Sequence, residues 1–141
     1  MNSSNDTKVH HALEVLMGSA VQLQYAIRRC IRLYAEASAT LTPPLETLDL
    51  RRMLGLLRLL MARAHPAGSD ILHRFETWLE EVDSASVQRD FLLIRARRGV
   101  ELGPSVFELT RATTQLERHI ARVKWWEEAL APPSETSTTI G

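Results

Sequence analysis

A chain of 141 residues has room for one domain whose core needs neither metal nor disulfide. Its hydrophobic share of 45 % excludes wholesale disorder, and 17 basic against 17 acidic side chains exclude the net basic footprint of a dedicated duplex-DNA binder. Cys30 is the single cysteine, so no intrachain disulfide can form, and the reducing cytoplasm is the expected setting.

Residues 1–7 are polar, lack the pattern of a signal peptide and read as a disordered lead-in. From about Lys8 to Ala39 there is no proline. Val9, Leu13, Leu16, Ala20, Leu23, Ile27, Cys30, Tyr34 and Ala37 recur at steps of four and three. That spacing predicts one long helix with an unbroken heptad seam. Its far side carries Tyr25 among Arg28, Arg29 and Arg32, a solvated face or a weak basic contact surface.

Thr40 to Pro44 breaks this helix. A second is expected from about Leu45 or Leu48 to Ala64, apolar nearly all round, with Arg51, Arg52, Arg58 and Arg63 and no acid from Leu50 onward. Its apolar run Met53 to Met61 is too short for a bilayer and contains Arg58, so no membrane partner is expected. His65-Pro66-Ala67-Gly68 stops it. Ser69 caps a third helix whose stripe is Ile71, Leu72, Phe75, Trp78, Leu79 and Val82. Glu76, Glu80, Glu81 and Asp83 make that helix acidic, a match for the arginines of the second, for example Arg58 with Glu76 or Glu80.

Ser84-Ala85-Ser86 is expected to separate a fourth helix, Val87 to Arg98, with Gly99 as its C-cap. Gly103-Pro104 opens a fifth, with Val106, Leu109, Thr113, Leu116, Ile120, Val123 and Leu130 on a second heptad seam. Pro132-Pro133 ends it, and residues 132–141 form a polar tail expected to be disordered. No stretch alternates with period two. The expected fold is all-α: residues 8–131 as an up-and-down antiparallel bundle of about five helices, with long first and last helices.

Function must be read from faces, because no motif for a chemistry stands out. On the last helix, the side opposite the seam carries Phe107, Arg111, Arg118, Arg122 and Trp125. Three arginines lie in line with an aromatic at each end. Aromatic and arginine side chains dominate binding hot spots, and a guanidinium stacks on an indole or a base. The competing reading makes Phe107 and Trp125 core residues with arginines draped outward. Lys8 and Lys124 are the only lysines among the 17 basic residues, so arginine supplies nearly all the positive charge.

Metal binding is not expected: His10, His11 and Glu14, or His73 and Glu76, lack the second Glu-x-x-His pair of helical metal bundles. No cofactor pattern is present. His73 and His119 lack the Lys-Gly element of histidine phosphotransfer proteins. Arg58 and His65 stand six residues apart in between. That spacing is similar to the Arg-to-His spacing of the HEPN family of helical ribonucleases, and the resemblance implies a small Arg/His-type ribonuclease. His65 departs from that pattern by sitting at a helix stop.

The leading expectation is therefore a non-catalytic helical module that binds another protein, or a second copy of itself as a homodimer. The runner-up is a helical subunit gripping single-stranded nucleic acid or RNA backbone through its arginine stripes, and the ribonuclease stands third.

Overall fold

The computed structural model describes residues 3–98 and 103–130. They form four α-helices and one short 3₁₀ turn: α1 (Ser3–Ala37), the turn Leu45–Thr47, α2 (Leu50–Ala64), α3 (Asp70–Arg97) and α4 (Val106–Leu130). No strand occurs among the described residues, and no helix is long and apolar enough to cross a membrane.

α1 begins at Ser3, inside the stretch 1–7 that is expected from the sequence to be a disordered lead-in. Residues 131–141, including the expected tail, and Gly99, the expected C-cap, lie outside the described residues. Asp49 caps α2 by accepting from the Arg52 N–H at 2.8 Å, and Ser69 caps α3 by accepting from Leu72 N–H. α1 leaves its helix through Ala39, whose φ of 52° is left-handed, and Gly68 takes the same region at the turn after α2.

The sequence predicts five helices and the described residues form four, because α3 runs without a break through Ser84-Ala85-Ser86. Serine costs a helix only about 0.5 kcal/mol against alanine. Ala85 extends the buried row Phe75, Trp78, Val82 and Leu92 at heptad spacing, so continuing the helix keeps the core filled.

The direction of the chain also departs from an up-and-down bundle. Lys8 and His11 share a cleft with Val106 and Thr110, while Arg29 meets Glu127, so α1 and α4 run parallel. Arg95 meets Glu108 and Phe75 meets Trp126, so α3 and α4 are antiparallel. Arg51 meets Asp83 and Arg58 meets Glu76, so α2 and α3 are antiparallel. Hence α1, α2 and α4 point one way and α3 the other. The reason is the connection from Ser38 to Asp49. It is longer than the expected break at Thr40 to Pro44, and an extended chain of about 3.3 Å per residue can run back along the bundle before α2 starts.

The core is continuous along α1 and α4, which form the most extensive interface. Leu16, Leu23, Ile27, Cys30 and Tyr34 on α1, with Leu109, Leu116 and Val123 on α4, are all buried; Ala37, the last seam residue expected, is exposed. The seam of α1 is thus filled by α4 and does not call for a second copy. The Tyr34 hydroxyl donates to the Trp126 carbonyl at 2.9 Å and lies 3.3 Å from His65 Nε2, joining α1, α4 and the end of α2. Burial pushes the Cys30 thiol up to about 12, so it stays a protonated apolar filler.

Candidate functional site

α4 carries two seams rather than one. The expected seam faces α1. A second row, Ala112, His119 and Trp126, faces α3 and is poorer in bulk. Trp126 is 1 % exposed and closes an aromatic cluster with Phe75 and Trp78, ring centroids 5.4 and 6.0 Å away. The Trp78 ring also meets the His119 ring edge-on at 6.2 Å. Burial lowers the His119 pKa below its ordinary value; Glu81 opposes that shift and Arg122 adds to it.

At the other end, the start of α4 is fastened to the end of α3. Ser105 and Glu108 form a capping box: Glu108 N–H donates to Ser105 Oγ at 3.1 Å, and Ser105 N–H donates to Glu108 Oε1 at 3.0 Å. Arg95 then donates to Glu108 Oε2 at 2.7 Å and to the Gly103 carbonyl at 3.1 Å. The Arg95 hydrogen bond first, then the Ser105 N–H, hold the Glu108 carboxyl down at about 2.

Between these two fastenings the facing residues are small or polar, notably Ser84, Ala85, Gln88, Ala112 and Gln115, so side chains do not fill the space. A groove of about 960 Å³ results. One wall bears Glu80 and Glu81 of α3, and the other bears Phe107, Arg111, Arg118 and Arg122 of α4. Trp78 lines it from below, and its indole N–H is buried without a hydrogen-bond partner.

Four of the five residues expected to make the contact surface, Phe107, Arg111, Arg118 and Arg122, therefore meet in one groove. Trp125 lies just past its end, where the Arg122 guanidinium sits 5.5 Å from the indole centroid. Phe107 is 73 % exposed and Trp125 37 %, so neither is a core residue. The buried indole of this pair is the neighbour Trp126, which stands edge-on to Trp125 at 4.7 Å. Arg111, Arg118 and Arg122 are exposed, and among the described residues none of them meets a carboxylate.

The second basic face is engaged differently. Arg29 pairs with Glu127, Arg32 with Glu46 at 2.7 Å, Arg51 with Asp83 at 3.6 Å, and Arg58 with Glu76 at 2.9 Å. Arg28 lies over the exposed Tyr25 ring at 5.6 Å, with its own Nε buried and unpartnered. Arg52 is exposed; its contact with Asp49 is through its backbone. These arginines sit on α1 and α2 and mostly tie helices together, whereas those of α4 do not.

Among the described residues no group of three or more His, Cys, Asp or Glu could hold a metal. His10 pairs with Glu14 on the surface at 3.1 Å. Arg58 is held by α3 and His65 by Tyr34 of α1, so the two residues of the ribonuclease reading are engaged with different neighbours. The groove walls were not visible from sequence because Glu80 and Glu81 read as partners for α2, and because Ala112, Gln115 and His119 carry too little apolar signal to mark a second seam.

No known family model, curated protein or solved structure matches this chain.

Proposed function

We propose that this chain is a non-catalytic interaction module that binds another protein through the α3–α4 groove and the adjoining face of α4. The observation that carries this reading is the contrast among arginines: Arg29, Arg32, Arg51 and Arg58 of α1 and α2 meet carboxylates of the fold, while Arg111, Arg118 and Arg122 stand exposed and without an ion pair among the described residues, between Phe107 and Trp125. A guanidinium without an internal partner is free to meet an acidic side chain, and the flanking aromatics supply apolar anchors. The acidic wall weighs against a phosphate backbone. Glu80 and Glu81 line the same groove as the arginines and would repel it.

A titration with a fluorescent single-stranded RNA at rising salt separates the two ligands. A protein-binding groove gives little or no RNA affinity. If RNA is the ligand, affinity falls steeply with log salt, and each of Arg111→Ala, Arg118→Ala and Arg122→Ala lowers that slope by about one unit.

A further inference from the structure

α3 carries a third heptad row whose apolar centre no described helix covers. Glu80, Asp83, Val87, Phe91, Ile94 and Arg98 follow one another at steps of three or four and so share one face of the helix. All six are exposed, including Val87 at 57 %, Phe91 at 56 % and Ile94 at 48 %. The bareness has a cause in the fold. α2 lies against α3 through Arg58–Glu76 and Arg51–Asp83, and α2 starts at Leu50. Beyond Asp83, α3 runs on to Arg97 without it, and the neighbouring row turns from acidic to apolar at that point.

We infer that this row is the interface of a homodimer, in which α3 pairs antiparallel with α3 of a second copy about a two-fold axis near Asp90 and Phe91. The charges choose both the occupant and the direction. The row is acidic at its start, with Glu80 and Asp83, apolar at its centre, and basic at its end, with Arg98. An antiparallel pair sets Asp83, which is half-exposed and only loosely met by Arg51 at 3.6 Å in its own chain, across from Arg98 of the second copy, Val87 across from its Ile94, and the two Phe91 rings beside each other. A parallel pair would set like charges together at both ends. A patch that complements itself in this way is what a closed two-fold dimer requires. Val87, Phe91 and Ile94 line no part of the α3–α4 groove, whereas Glu80, at the acidic end of the row, lies on its α3 wall.

Sedimentation equilibrium on the full chain tests this. The expected result is a concentration-dependent dimer. Phe91→Glu should weaken it about tenfold or more while the circular dichroism spectrum and melting temperature hold, since the side chain is exposed. Arg98→Asp should weaken it too, and adding Asp83→Arg to that variant should restore it. Mixing Val87→Cys chains with Ile94→Cys chains under oxidation should give a crosslinked pair faster than either alone. A monomer at every concentration overturns the inference. So does a dimer indifferent to both Phe91→Glu and the charge exchange, or one in which Val87→Cys crosslinks best with itself.

Discussion

The Arg29 guanidinium grips the Glu127 carboxylate through two parallel hydrogen bonds of 2.9 Å, Nε to Oε2 and Nη2 to Oε1. Glu127 is mostly buried, and the pair raises the Arg29 pKa above its ordinary value, chiefly through the hydrogen bonds. Arg29 therefore acts as a fastening between the parallel helices α1 and α4. Arg118, equally conspicuous in the sequence, has no such partner. Arg29→Ala should destabilise the fold by about 1–2 kcal/mol, because it strands a buried carboxylate. Arg118→Ala should stay within about 0.5 kcal/mol. Urea denaturation of the two variants checks the difference.

The adjacent tryptophans should separate in the same way. Trp126→Ala removes the largest fully buried side chain from the junction of α3 and α4 and should cost about 3–5 kcal/mol. Trp125→Ala should leave thermal unfolding nearly unchanged. Leu23, Ile27 and Leu116, buried on the α1–α4 seam, should each cost about 2–5 kcal/mol on truncation to alanine.

The two heptad seams and the all-helical class were legible in the sequence because Leu16, Leu23, Leu116 and Val123 repeat a strong apolar signal. The unbroken α3 was not, because Ala85 is too small to mark a core position and two serines flank it. The parallel course of α1 and α2 was hidden as well. Nothing local shows whether Thr40 to Asp49 turns sharply or travels. Of the site, the α4 wall was legible as a periodic row of arginines. The groove was not, since it arises from what Ala85, Ala112 and Gln115 fail to fill.

Acid should loosen the joint between α3 and α4. The Glu108 carboxyl sits at about 2 in the fold against 4.5 as its ordinary value, so its contribution is fully present above about pH 4.5 and is lost as pH falls toward 2. Arg95 and Glu108 remain partly open to solvent, which keeps the effect modest. Glu108→Gln should flatten that part of the stability curve, measured by urea midpoints between pH about 5 and about 2.

Ala39 should improve as glycine. Its left-handed φ of 52° at the end of α1 costs an alanine about 1 kcal/mol, partly offset by the greater freedom of glycine in the unfolded chain. Ala39→Gly is expected to raise the melting temperature slightly, whereas Ala39→Val, β-branched at the same φ, should lower it.

Whether the α4 face meets another protein can be read by site-specific photocrosslinking in the producing cells. A benzophenone side chain replaces Phe107 in one variant and the exposed Leu59 of α2 in another. A discrete protein adduct is expected from position 107, weak or absent from position 59, and lost when Arg118→Ala is added. Adducts of equal yield from both positions, or an adduct from position 107 that ribonuclease removes, would contradict it.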